Sequence, residues 1–563
     1  MTSQPTQQPL FLPKLWSTAR AYSLPLFWGD LSGGVIVGIV ALPLAIAFAI
    51  ASGVPPERGL ITAIIAGFLI SALGGSRVQI GGPTGAFVIL VYHIVNQYGL
   101  NGLILCTFLA GILLILMGLA QLGTLIKLIP YPLTVGFTAG IAVVIFFSQI
   151  KDFLGLNTGP LPADFLEKCG LYARTLGTFN PTTLFLSLLS LAILIAWPRF
   201  NRRIPGSIIA ILFITALGHL LRLPVETIGS RFGAIPAGLP APSLPHFTVA
   251  QIRSMMGPAF TVALLCAIES LLSATVADGM IEGRHRSNTE LIAQGIANIA
   301  SALFGGMPAT GAIARTAANV RNGGRTPVAG IIHALTLLII VLLLGRWATL
   351  IPLCVLAAIL TVVSYQMSEW HSFKALLKAP RMDVAVLLTT FALTVLVDLT
   401  VAVEVGLMMS VFLFMRRMMD VTTVRQVTSQ IKEEELDEAA LRSADDAVSR
   451  REIPSGVEVY EAEGALFFGI AEMLRDNLSF GSKPPKAVIF RMRHILALDA
   501  SGIRALRDLR TRCNRMGTVF IIEGLHAQPL TALDRAGVLD EFGEPNVVPT
   551  LDAALRRARE MIP

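Results

Sequence analysis

Glu269 lies in Ala267-Ile268-Glu269-Ser270-Leu271-Leu272-Ser273, the only charged residue between positions 254 and 277. A carboxyl group that deep in an apolar stretch is expensive in lipid and functional by default. Burial disfavours its charged form, which suits it to carry a proton, and Ser273 follows one turn later on the same helical face. Arg315, in Thr310-Gly311-Ala312-Ile313-Ala314-Arg315-Thr316, is the lone cation of another such stretch. It has two readings: it raises the positive potential behind an anion site, or it ties helices together, with Glu269 as its partner. Asp398 and Glu404 flank a short turn and read as solvated, while His93 and His333 read as core histidines.

Two segments break apolar runs with glycine and proline: Gly81-Gly82-Pro83-Thr84-Gly85-Ala86-Phe87 and Gly305-Gly306-Met307-Pro308-Ala309-Thr310. A helix that starts at membrane depth leaves its first N–H groups unpaired and carries about half a positive charge there. Two such starts converging on one cavity make an anion site. The expected donors are the backbone N–H groups of Gly85, Ala86, Gly311 and Ala312, with hydroxyls from Thr84 and Thr310, Phe87 closing the first segment.

The elements that must position these groups are membrane spans. Of 563 residues 54% are apolar and 14% charged, and the mean hydropathy is +0.68, whereas soluble domains carry about 25% charge. Uncharged runs such as 78–126 and 128–150 exceed the ~20 residues that cross a bilayer. Fourteen spans are expected, near 30–50, 58–74, 83–97, 101–121, 131–150, 181–197, 204–221, 254–278, 288–304, 309–320, 326–345, 348–366, 382–398 and 401–418. The third and tenth are the short, broken ones. Pro83 and Pro308 therefore hold equivalent places in two sevenfold repeats, as do Leu128-Ile129-Pro130 and Leu350-Ile351-Pro352. Because seven is odd, the second copy is inverted, and paired broken segments mark a transporter's binding site. Sixteen Lys and Arg on one side of the spans against eight on the other put both termini in the cytoplasm.

The expected domains are an N-terminal segment 1–29, a membrane domain 30–419, a charged linker 420–454 with a helical stretch at 431–452, and a soluble domain 455–563. In the last, strands are predicted at Val457–Tyr460, Ala465–Phe468, Ala487–Phe490 and Thr518–Ile522, between helices near 470–478, 501–514, 528–536 and 550–560. Asp499 or Ser501, in Leu498-Asp499-Ala500-Ser501-Gly502, can cap a helix. The first 29 residues lack an apolar core with a cleavage site, so no signal peptide is expected. The five cysteines have no metal spacing, and no dinucleotide, P-loop, metalloprotease or nucleophile motif occurs. Neither an enzyme nor a metal or organic cofactor is expected. The net charge of +7 reads as membrane topology, not as nucleic-acid binding.

The Gly81–Phe87 segment, Gln149-Ile150-Lys151-Asp152-Phe153-Leu154-Gly155, the Glu269 segment and Gly305–Thr316 resemble the third, fifth, eighth and tenth helices of the SulP sulfate permeases. The tail is similar to their STAS domain, in which Ser501 stands where antisigma-factor antagonists carry a phosphorylatable serine. The resemblance implies a core domain of spans one to four and eight to eleven moving, elevator-like, against a gate domain of five to seven and twelve to fourteen. It also implies a homodimer in the bacterial inner membrane, with Asp499 and Ser501 serving regulation through a cytoplasmic protein partner. Glu269 is similar to proton-coupled members where sodium-coupled ones carry Asp, so protons are the expected coupling ion. The WPR, QIKDFLGL, IESLLSA and AIARTAANVR segments resemble members that take C4-dicarboxylates, so succinate, fumarate or aspartate is expected; sulfate, bicarbonate or chloride carriers are the alternatives. Ala312 and Ala314 replace serines of some relatives. In a different class, the membrane part would merely anchor a STAS sensor.

Overall fold

The computed structural model describes residues 11–562 except 20–21, 127–129, 160, 163, 201–204, 234–237, 245–246, 398, 427–452 and 468–483. Asp398, Leu128-Ile129, the 431–452 linker and the 470–478 helix lie outside the described residues. The chain divides into two compact units, Met1–Ser410 and Val411–Pro563.

In the first unit the helices are α1 (Lys14–Ala19), α2 (Leu24–Ala51), α3 (Pro56–Leu73), α4 (Val88–Leu119), α5 (Gly123–Ile126), α6 (Tyr131–Ser148), α7 (Ile150–Leu154), α8 (Phe165–Thr175), α9 (Pro181–Phe200) and α10 (Gly206–Leu220). There follow α11 (Ile228–Phe232), α12 (Val249–Ile281), α13 (Ser287–Leu303), α14 (Ile313–Arg321), α15 (Pro327–Ala348), α16 (Leu353–Met367), α17 (Trp370–Leu376), α18 (Arg381–Leu396) and α19 (Leu399–Val421). Proline in the first turn starts α3, α6 and α15, where its missing N–H costs nothing. Thr248 and Gln251 cap α12 reciprocally, and the Asp164 carboxylate takes the N–H groups of Leu166 and Glu167 to start α8. Among the described residues eight helices are long and apolar enough to cross a membrane. The expected third and fourth spans run together as α4, bent at Gly99, whose φ of 71° breaks the helix.

Two bundles result. In one, α4 packs on α12 and α13, and α15 on α2 and α3; in the other, α18 packs on α6, α16 on α6 and α9, and α10 on α9. These are the expected core and gate groupings. Small residues let the core helices touch: a Cβ on Gly111 would meet the Gly295 carbonyl oxygen at 2.7 Å, and one on Gly295 the Gly111 oxygen at 2.5 Å. Where the core helices are interrupted, β1 (Gly81–Gly82) and β2 (Thr310–Gly311) pair antiparallel, Gly81 opposite Gly311 and Gly82 opposite Thr310.

The second unit is a five-stranded sheet in the order of β3 (Thr423–Gln426), β4 (Val457–Leu466), β5 (Ala487–Leu498), β6 (Val519–Glu523) and β7 (Val547–Val548). Only β3 runs antiparallel to its neighbour. The sheet buries Phe490 and Phe520 against the helix Ala500–Arg515 on one face, and Ile489 and Ile521 against Leu551–Met561 on the other. Two expectations are corrected. The strands expected at 457–460 and 465–468 are one strand, Val457–Leu466, bulged between Glu461 and Glu463 and between Gly464 and Ala465, and Phe468 lies outside the described residues. The expected linker contains β3, whose pairing with β4 gives it a place in the sheet.

Candidate functional site

The paired breaks put extended backbone between buried helices, and each polar group there needs a partner. Side chains supply them. The Asn298 amide of α13 donates to the Ala309 carbonyl and accepts from the Ala309 N–H, both at 2.9 Å. The Thr62 hydroxyl takes the Met307 N–H at 2.7 Å, and Thr316 takes the Ile80 N–H at 3.0 Å. Glu290, fully buried on α13, accepts the N–H groups of Gly75 and Ser76 at 2.8 and 3.1 Å. None of these four side chains stood out in the sequence.

With that backbone satisfied, the start of α14 and the 3₁₀ turn Gly85–Phe87 that leads into α4 face one cavity of about 280 Å³. Thr84, Gly85, Glu269, Gly311, Ala312 and Arg315, all singled out in the sequence, line it. Ile313 and Ala314 extend the core wall; Phe48 of α2, Thr138 of α6 and Met367 of α16 were not anticipated. The Thr84 hydroxyl donates to Oε2 of Glu269 at 2.9 Å. Arg315, 4% exposed, donates Nη2 to the Pro83 carbonyl, and a Cβ on Gly82 would stand 2.7 Å from its Nη1. Arg315 thus ties the two broken segments together and also lines the cavity. It makes no ion pair with Glu269 among the described residues.

Other expected contacts are redirected. The Ala312 N–H is donated to the Ile80 carbonyl at 2.9 Å, so it is not available to a ligand. That bond makes Ile80 and Ala312 a hydrogen-bonded pair of the ladder, and by alternation leaves the N–H of Gly311 outside it. The Phe87 N–H goes to the Thr84 carbonyl at 3.3 Å, and Ala86 and Phe87 are buried away from the cavity. Thr310 is fully buried and donates to the Cys266 carbonyl at 2.9 Å. Ser273 shares a hydrogen bond of 3.2 Å with Thr316 instead of facing the ligand space. Among the described residues that line the cavity, the backbone N–H groups without an acceptor are therefore those of Gly85 on one side and of Gly311, Ile313 and Ala314 on the other. Glu404 is exposed, and so is His93, which is not the core histidine expected; neither ring nitrogen of the fully buried His333 has a partner among the described residues.

In the second unit the Asp499 carboxylate accepts the Gly502 N–H at 2.8 Å and caps Ala500–Arg515, and Ser501 is exposed beside it.

Two helix starts facing a partly buried carboxyl, at the joint of an inverted repeat, define an anion transporter of the broken-helix type. The sulfate permease family profile matches residues 27–390 and the STAS domain profile residues 450–554. The chain belongs to the sulfate permease family and carries its STAS domain. A Bacillus subtilis protein named putative sulfate transporter YvdB is 40% identical over 528 residues, which span 93% of this chain and 96% of that one. Among solved structures, SLC26A9 superposes with a TM-score of 0.85 over 97% of this chain and 92% of that one; at 22% identity the likeness is one of fold. The transmembrane domain of a cyanobacterial bicarbonate transporter, BicA, superposes with a TM-score of 0.61 at 32% identity, covering 69% of this chain and 98% of that one.

Proposed function

We propose that the protein is a proton-coupled anion symporter of the bacterial inner membrane in which the core bundle carries its ligand past the gate bundle. The observation that supports this reading is the Thr84–Glu269 hydrogen bond on the wall of a cavity faced by two helix starts. The helix starts attract an anion; the carboxyl repels one until it is protonated. Protons are the coupling ion, and no other cofactor is called for. Both termini lie in the cytoplasm, the chain works as a homodimer, and the STAS domain meets a cytoplasmic protein partner through Asp499 and Ser501.

Sulfate and bicarbonate, the anions in the relatives' names, are the first substrates to test. C4-dicarboxylates, implied by the resemblance of four segments, are the second reading; the cavity of about 280 Å³ suits either. Uptake of labelled sulfate, bicarbonate and succinate by proteoliposomes, with and without an inward proton gradient, separates them. Accumulation of none of the three, together with unaltered anion binding, would favour a membrane-anchored STAS sensor.

A further inference from the structure

The membrane unit holds a second cavity, of about 220 Å³, between the C-terminal end of α2, opposite the end that follows the N-terminal segment, the first turns of α4 through Tyr92 and His93, and the gate elements α6, α7, α8 and α11. Three cations line it, Lys151, Lys168 and Arg231, with one carboxylate, Asp152. That carboxylate is engaged by Arg231 at 2.7 Å, and Arg231 also reaches Glu226. Lys151 gives its ammonium to the Gly159 carbonyl at 2.7 Å.

Lys168 is different. It is 4% exposed, its Nζ lies 5.1 Å from the centroid of the Tyr92 ring, and no ion pair of it is found among the described residues; the Asp164 carboxylate acts on it only from a distance and is engaged by the N–H groups of Leu166 and Glu167. A desolvated cation–π contact contributes about 2 kcal/mol, whereas taking an ammonium out of water costs several. The ring alone does not offset the burial; an anion beside Lys168 would. Tyr92 is itself fixed, its hydroxyl donating to the Leu161 carbonyl at 2.8 Å. Burial also lowers the pKa of Lys168 from the ordinary lysine value.

The two cavities are near neighbours. Ile145 lines this one, and its Cδ1 would stand 3.3 Å from a Cβ on Gly85, which lines the transport cavity.

We propose that this cavity is a second anion site, in which Lys168, flanked by Lys151 and Arg231, holds a small oxyanion or carboxylate one step from the midplane site. The choice of ligand class rests on the anion-transport reading; the site itself does not.

The test is amine labelling of the purified full-length chain in lipid nanodiscs, read at Lys168 by peptide mass spectrometry. Sodium sulfate and disodium succinate are compared with a bulky sulfonate buffer salt at equal ionic strength. Either small anion, at twice its dissociation constant, is expected to slow labelling of Lys168 about threefold. The same protection is expected in Gly311→Ala, or in Thr84→Val should the first variant not fold, because these alter only the midplane site. Labelling unchanged by both anions overturns the proposal, as does protection that disappears with the midplane variant. Protection without any uptake in proteoliposomes would sink the transport reading and leave this site standing. As a second measurement, Lys168→Met is expected to raise KM severalfold for anion offered at this face only, with Lys168→Arg restoring it. An equal shift on both faces makes Lys168 structural and overturns the proposal.

Discussion

Thr84 and Glu269 come from opposite halves of the repeat and meet through one hydrogen bond of 2.9 Å. In the proposed function the charge of Glu269 stands beside the place an incoming anion takes, since both share one cavity. At a spacing of about 6 Å and an effective dielectric near 20, two like charges repel by roughly 3 kcal/mol. Protonating Glu269 removes that repulsion, so proton and anion binding favour each other by the same free energy. Substrate affinity is therefore expected to rise as pH falls through the titration of Glu269, measured by equilibrium binding across pH. Glu269→Gln, neutral throughout, is expected to bind and exchange substrate with the pH dependence gone. Net uptake by that variant which still follows an inward proton gradient would place the coupling group elsewhere.

At Gly85 the two bundles touch beside the site. A Cβ there would lie 2.6 Å from the Met367 sulfur and 3.3 Å from Ile145 Cδ1, both on the gate side. Gly85→Ala is expected to slow transport about tenfold, the equivalent of about 1.4 kcal/mol on the barrier, while changing affinity less. Full transport rate in this variant would show that the bundles do not move against each other at this contact.

Gly311→Ala acts on the site itself. Its Cβ would fall 1.4 Å from Gln79 Nε2, a group that holds the Ser270 carbonyl at 3.2 Å. Loss of the midplane component of anion binding, with protection at Lys168 retained, is expected in a titration of purified protein, and an unchanged midplane affinity would remove the Gly311 N–H from the site.

Asn298 tests the support behind the site. Asn298→Ala leaves the buried Ala309 N–H unpaired, at about 1–3 kcal/mol, and its carbonyl with the Cys266 thiol alone, at 3.1 Å. The purified variant is expected to melt at lower temperature by scanning fluorimetry, and an unchanged Tm would mean that other groups satisfy this backbone.

In the STAS domain, Asp499→Ala removes a helix cap worth about 1 kcal/mol, so the unfolding midpoint of this domain is expected to fall in urea. Ser501→Ala, at an exposed position, is expected to leave both that midpoint and substrate affinity unchanged. Loss of binding in purified Ser501→Ala would end the separation of regulation from transport.

The paired breaks and Glu269 were legible because glycine, proline and a lone carboxyl are conspicuous against an apolar background. Asn298, Thr62 and Thr316 were not: a single polar residue in a span looks alike whether it faces a neighbouring helix or a remote stretch of backbone. Ala312 was taken for a free donor because a ladder two residues long has no sequence period from which to read its register. Lys168 was read only as one charge in a topology count, since its burial depends on α8 folding over Tyr92 of α4. The short strands β3 and β7 likewise gain their place from the longer strands beside them.

The pairing of Gly81 with Gly311 also bears on how the protein is made. The two partners lie about 230 residues apart, and a ribosome adds about 5–20 residues per second. The first half of the site therefore stays in the membrane for some 10–45 s before its other half is synthesised, its broken backbone unmatched at a depth where solvent is scarce. Biogenesis thus includes a waiting period during which the Gly81–Thr84 segment must be sheltered by water, lipid headgroups or the insertion machinery, and it ends only when α14 arrives.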